Sequence, residues 1–170
     1  MPQPNEEPAI ARVREAAARQ GVTLDIVVMD ASTHTAADAA AAVGAELGQI
    51  VKSLVFVAPD ADGTRLVPLI CLVSGTNRVD VARLATATGE PQVRRATARE
   101  AHDLTGFSIG GIPPFGYGTA FRVVMDLDLE QFPVVWAAAG TGTAVFPIEP
   151  AALRTLAGAT VAQIAEGVPA

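Results

Sequence analysis

Two apolar runs, residues 51–58 and 66–73, are separated only by Pro59-Asp60-Ala61-Asp62-Gly63-Thr64-Arg65. That connection is rich in turn-forming residues and too short to hold a crossover helix, so the spacing predicts an antiparallel hairpin. A hairpin at the centre of the chain rules out a purely parallel, doubly wound sheet. Every other segment must be read as something that packs on or pairs with it.

The flanking segments carry clear punctuation. Pro8 followed by Ala9, Ile10, Val13, Ala16 and Ala17 has helical spacing, and Gly21 supplies a stop. Residues 22–29 read as a strand. Thr35 is placed to cap a helix over 36–43, with Asp38 three residues on and Gly44 after it. Asp80 can cap a helix over 81–88 that ends at Gly89. A short strand is expected over 92–95, and Thr97-Ala98-Arg99-Glu100 forms a capping box for a helix to about Thr105, with Gly106 following. Residues 120–125 and 134–139 read as strands, and 143–148 pairs with the latter across Gly140-Thr141-Gly142. Pro150 starts a helix over 151–156, and a second helical region is expected over 160–166. Helices and hairpins are intermixed, which fits an α+β fold: a mixed, mostly antiparallel sheet or barrel surrounded by helices. No repeat or linker divides the chain, so residues 1–170 read as a single domain.

Composition excludes several classes. The single cysteine, Cys71, lies in an apolar run and reads as a packed thiol; no disulfide or cysteine metal site can form within the chain. Only His34 and His102 supply imidazoles, and the carboxylates lack calcium-loop spacing, so neither a metal nor any other cofactor is expected. Residues 1–8 are polar and acidic, unlike a signal peptide, and no apolar run has the length of a membrane span. A cytoplasmic protein is expected, with no membrane partner. The net charge of -6 argues against a broad nucleic-acid coat and against DNA. Arg94, Arg95 and Arg99, preceded by Arg78 and Arg83, keep a local patch open, either as a solvated face or as an RNA contact.

Eleven of the twelve basic residues are arginine, which leaves Lys52 as the one lysine. It opens the first apolar run. An ammonium is a compact, rotatable point charge without a planar fork, suited to a phosphate or a carbonyl in a narrow site. An ordinary strand-edge residue is the plainer alternative. The segment from Gly106 to Gly118 holds five glycines and two prolines in thirteen residues. Its backbone is constrained by composition and could aim N–H groups at an oxygen, or could simply be a rigid connection. Its spacing is not that of a nucleotide-binding loop, and it follows a helix. No nucleophile elbow is present. Asp126 and Asp128 end a strand and read as caps for the segment after it. His102, beside Asp103, reads as a solvated or capping side chain, and His34 stands next to the Thr35 cap.

Three features in order, Lys52 in Gly48-Gln49-Ile50-Val51-Lys52-Ser53-Leu54-Val55, the loop Gly110-Gly111-Ile112-Pro113-Pro114-Phe115-Gly116, and the turn Ala138-Ala139-Gly140, resemble the YbaK/prolyl-tRNA synthetase-associated editing domain family of free-standing aminoacyl-tRNA deacylases. The resemblance runs from about Thr33 to Leu156 and includes Thr35 to Ala40 and Asp126. It implies a mixed β-barrel with surrounding helices and a pocket for the aminoacylated 3′ end of a tRNA, most often tRNA for proline. It further implies that Lys52 contacts the substrate end, that backbone N–H groups of Gly110 and Gly111 stabilise the oxyanion, and that His34, Thr35, Pro114, Phe115, Gly116, Asp126 and Gly140 bind substrate. Pro113 departs from the family pattern, where a small polar residue is common, and removes one N–H from the loop. Water, or the neighbouring ribose hydroxyl acting through it, would be the nucleophile. The partners implied are the acceptor end of an aminoacyl-tRNA and an aminoacyl-tRNA synthetase. Two other classes stay open: a silent module that binds a tRNA end or a synthetase, and a small-metabolite pocket with Lys52 pairing a carboxylate or phosphate.

Overall fold

The computed structural model describes residues 5–31, 33 and 35–166. Helix α1 (Pro8–Ala18) starts on proline, whose fixed φ suits a first turn, and buries Ile10, Val13 and Ala17. Strand β1 (Val27–Val28) is shorter than the 22–29 run suggested, because only these two residues reach the sheet edge, where they pair with Val145 and Ala144. Helix α2 (Ala36–Val43) has the expected cap: the Thr35 hydroxyl accepts from the Asp38 N–H at 3.0 Å, and the Asp38 carboxylate accepts from the Thr35 N–H at 3.1 Å.

The hairpin forms as the connection requires. Strands β2 (Ile50–Pro59) and β3 (Leu66–Ser74) run antiparallel from the Val51–Ser74 pair to the Pro59–Leu66 pair. Side chains alternate between two cores. Val55, Val57, Ile70 and Leu72 pack with α1, while Phe56, Leu69, Cys71 and Val73 pack on the opposite face. Burial on both faces explains why these strands read as continuous apolar runs. Each fully buried side chain of this size contributes about 1.5–3 kcal/mol.

Helix α3 (Val81–Thr88), capped by Asp80, buries Leu84 against the second core. Strand β4 (Arg94–Arg95) pairs with β2, and α4 (Ala98–Thr105) follows its Thr97–Glu100 capping box. The remaining elements are β5 (Arg122–Asp126), β6 (Val135–Ala138), β7 (Ala144–Ile148), α5 (Pro150–Ala157) and β8 (Thr160–Ala162). The sheet runs β1-β7-β6-β2-β3-β5-β8, with β4 also on β2; the pairs β2–β6, β3–β5 and β5–β8 are parallel and the rest antiparallel.

One expected helix is absent. Residues 160–166 form β8 and an extended tail instead, because the fully buried Asp126 carboxylate accepts the N–H groups of Ile164 at 2.8 Å and Ala165 at 3.0 Å. Those donors cannot serve a helix. Ala165 also bridges to Val79, which ties the chain end to the segment after β3.

Candidate functional site

Strand β2 is fully paired on one edge and interrupted on the other. Its ladder to β6 stops at Val51, paired with Ala137, and its ladder to β4 begins at Phe56, paired with Arg95. A cavity of about 260 Å³ opens along the gap between them, with residues 50–55 of β2 as one wall. Thr35 and Ala39 of α2 and its cap, Trp136 and Ala138 of β6, and Ala101 of α4 close it from the other sides. The lining is mainly apolar, with Lys52 and Arg95 as its charged members among the described residues.

Lys52 is half-buried, and its ammonium donates to the backbone carbonyl of Asn77. Asn77 is itself held: its side-chain N–H donates to Asp128 at 2.8 Å, and the Asp128 N–H donates to Asp126 at 3.2 Å. A chain of bonds therefore runs from the tail at Ile164 through Asp126, Asp128 and Asn77 to the ammonium. Burial lowers the Lys52 pKa below the usual lysine range, and the nearby guanidinium groups of Arg95 and Arg78 lower it further. The site is locally cationic on an acidic protein. Arg94 is differently employed: it pairs with Glu100 at 2.8 Å, and that hydrogen bond, with help from the Thr97 N–H, holds the Glu100 carboxyl at about 2.

The glycine loop reaches the cavity through one turn. The Gly111 N–H donates to the Ser108 carbonyl at 3.0 Å, and Gly110 has φ +93°. A positive φ at the third position of such a turn is the signature of type II, which requires glycine there. Gly110 lines the cavity, and its N–H has no hydrogen-bond partner among the described residues. The rest of the loop is anchored elsewhere. The Tyr117 hydroxyl donates to the Pro113 carbonyl, its ring stacks on Phe121 at 4.8 Å, and Arg12 of α1 lies 4.2 Å over the Phe107 ring.

The structure thus brings Lys52, Gly110 and Thr35 onto one cavity and leaves other expected site residues outside its walls. Gly111 faces an adjoining depression with Gly140 and Thr141, and its N–H is occupied in the turn, so it cannot donate to a ligand without breaking that bond. Pro114 is buried behind the turn, and Phe115 belongs to the main core, 5.8 Å from the Phe146 ring. Gly116 packs against Ala16 of α1, and Gly140 against the Ala9 carbonyl. Asp126 accepts three backbone N–H groups and is fully buried, which makes it a structural carboxylate. His34 lies outside the described residues. His102 is exposed on α4 near Asp103 and away from the cavity.

Sequence reasoning missed Ser53, Ile109, Trp136 and Gly142 on the cavity walls, and saw Arg95 only as part of a charge cluster. Trp136, the one tryptophan of the chain, was the available signal, since a lone large ring before a run of alanines marks a place where space is being shaped.

The cavity on the open edge of this mixed sheet is thus a small, mainly apolar space with Lys52, Arg95 and Gly110 among its lining residues. The chain belongs to the aminoacyl-tRNA editing domain family, whose model matches residues 30–156. Among solved structures, it is 46% identical to one described as "a putative trans-editing enzyme for prolyl tRNA synthetase", over 96% of this chain and 100% of that one, with a TM-score of 0.87. Among curated proteins, it is 26% identical over 132 residues to the "Putative Cys-tRNA(Pro)/Cys-tRNA(Cys) deacylase EbsC" of Enterococcus faecalis, covering 77% of each chain. It is also 29% identical over 97 residues to the proline–tRNA ligase of Limosilactobacillus fermentum, which is 57% of this chain and 17% of that enzyme.

Proposed function

We propose that the protein is an aminoacyl-tRNA deacylase that acts in trans, hydrolysing the ester of a mischarged tRNA of the proline type and so serving translation fidelity in the cytoplasm. The observation that supports this reading is that Lys52 and Gly110 line one small, mainly apolar cavity on the open edge of β2.

The chemistry needs little more than position. An aminoacyl ester is already activated, so orientation and a prepared donor for the oxyanion can supply the acceleration without a covalent nucleophile. Water attacks the acyl carbon, directly or with the neighbouring ribose hydroxyl as relay. The carbonyl oxygen gathers negative charge beside the Gly110 N–H. The bond from the acyl carbon to the ribose oxygen breaks, that oxygen takes a proton, and the free amino acid and intact tRNA leave. Lys52, with Arg95 at the mouth, holds the terminal phosphate or the carbonyl oxygen. Alanine side chains at 36, 39, 138 and 144 line the cavity, which suits a small acyl group.

Because the protein as a whole is acidic, contact is confined to the acceptor end. The tRNA affinity accordingly varies shallowly with salt, a slope of about 0.7 per phosphate held along a single strand. A panel of tRNAs charged with different amino acids tests the proposal. Release of a small amino acid from tRNA for proline supports it, and a panel left wholly intact overturns it.

A further inference from the structure

The carbonyl of Asn77 that accepts from the Lys52 ammonium is itself held from both sides. On the side-chain side, the Asn77 amide N–H donates to the Asp128 carboxylate at 2.8 Å, and the Thr76 hydroxyl donates to the Asn77 amide oxygen at 3.4 Å. On the main-chain side, the Asn77 N–H closes a turn onto the Ser74 carbonyl at 2.9 Å. The residues that follow are laced to the tail after β8: the Arg78 carbonyl accepts from the Glu166 N–H at 2.8 Å, and the Asp80 N–H donates to the Ile164 carbonyl at 2.7 Å. Asp128 is fixed in turn. It sits in a short 3-10 turn, Leu127–Gln131, and its own N–H is capped by the buried Asp126 carboxylate.

A peptide carbonyl suits this place better than a carboxylate. A carboxylate bonded directly to the ammonium would compete for it with an anionic or polarised ligand. A neutral oxygen restrains the ammonium through one N–H, leaves its charge uncompensated, and leaves its other donors for the ligand. The cavity lining accordingly contains no carboxylate among the described residues. The carboxylate stands one residue removed, on the Asn77 side chain, and neither Asn77 nor Asp128 lines the cavity. A lysine stem is long and rich in rotamers, so a tether formed during folding orders it before any substrate arrives.

We infer that Asn77 is a positioning residue for Lys52, and that Asp128, by gripping the Asn77 side chain, fixes how the ammonium is presented to the cavity. The inference rests on the reading of Lys52 as the group that holds the substrate end. It gives Asp128 a part in the reaction without contact with the substrate.

The test uses the full chain with its one lysine labelled at the ε carbon, as the native protein, Asp128→Asn and Asp128→Ala. Asp128→Asn keeps an oxygen for the Asn77 amide N–H, and Asp128→Ala keeps none. Relaxation of the ε carbon is expected to report a held side chain in the native protein and in Asp128→Asn, and a freely rotating one in Asp128→Ala. On tRNA for proline charged with a small amino acid, Asp128→Ala is expected to lose about 10-fold in kcat/KM, and Asp128→Asn to recover most of that loss. An ε carbon of the same mobility in the native protein and Asp128→Ala overturns the inference. So does a folded Asp128→Ala that cleaves at the native rate, or a loss in Asp128→Asn as large as that in Asp128→Ala. Should Asp128→Ala fold poorly, the native protein decides: a held ε carbon supports the tether, and a freely rotating one overturns it. A native chain that cleaves no ester defeats the deacylase reading instead, and the relaxation measurements then decide the tether by themselves.

Discussion

Gly111 gives its N–H to the carbonyl of Ser108 at 3.0 Å, and that bond sets the two neighbouring glycines of the loop apart. It closes the turn, spends the Gly111 donor, and leaves the Gly110 N–H without a partner among the described residues. A methyl group affects the two positions differently. Gly110→Ala forces a side chain into φ +93°, at about 1–2 kcal/mol of strain, and moves the donor. Its kcat for deacylation is expected to fall about 100-fold. At Gly111 the added carbon would stand 2.7 Å from the Thr141 backbone, so Gly111→Ala pushes the loop off the 140–142 turn and lowers the unfolding temperature as well as activity. Kinetics combined with thermal unfolding separates the two.

Asp126 gives a contrasting outcome. Three N–H groups depend on a carboxylate that is fully buried, so Asp126→Ala leaves donors unsatisfied at the end of β5 and in the tail after β8. A loss of about 3 kcal/mol in denaturant unfolding is expected. A substrate-binding carboxylate would instead raise KM with little change in stability.

The single lysine makes its own titration visible. With lysine labelled at the ε carbon, one resonance reports Lys52, and its midpoint is expected below that of an ordinary lysine because burial, Arg95 and Arg78 all disfavour the charge. Arg95→Ala removes one of the two cations and shifts the midpoint up. The sign carries to stability: between the lowered folded pKa and the unfolded one the native state binds fewer protons, so this group makes the protein more stable as pH rises through that window. A midpoint unmoved or lowered in Arg95→Ala would contradict the local field described above.

Cys71 is expected to be a bystander. It is buried in the second core, and burial pushes its thiol up to about 12. A thiol-alkylating reagent at neutral pH should leave the native protein unmodified and its deacylation rate unchanged, with modification appearing only on unfolding. Modification of the folded chain, read by mass, would refute this.

Much of this architecture was legible because local chemistry and global packing agree. The 59–65 connection dictated the hairpin, and Thr35, Asp80 and Thr97 each cap the helix their spacing announced. The failure at 160–166 has a non-local cause: an apolar, alanine-containing segment has no way to show that a carboxylate at Asp126 will take its N–H groups. The site divides the same way. Lys52 stands out by being the one lysine, whereas Gly110 was legible only together with Gly111, as part of a glycine-rich loop. Ser53 was illegible as a wall residue because its place on the cavity comes from where two neighbouring ladders stop, which is a property of the sheet and not of the strand that carries it.

The most direct test of the account is the deacylation rate of Lys52→Ala on tRNA for proline charged with the small amino acid that the native chain removes best. The account predicts a loss of at least about 100-fold in kcat/KM with the unfolding temperature unchanged, and no rescue by Lys52→Arg, whose planar fork cannot replace a compact ammonium in this cavity. A folded Lys52→Ala that clears the mischarged tRNA at the native rate would contradict it.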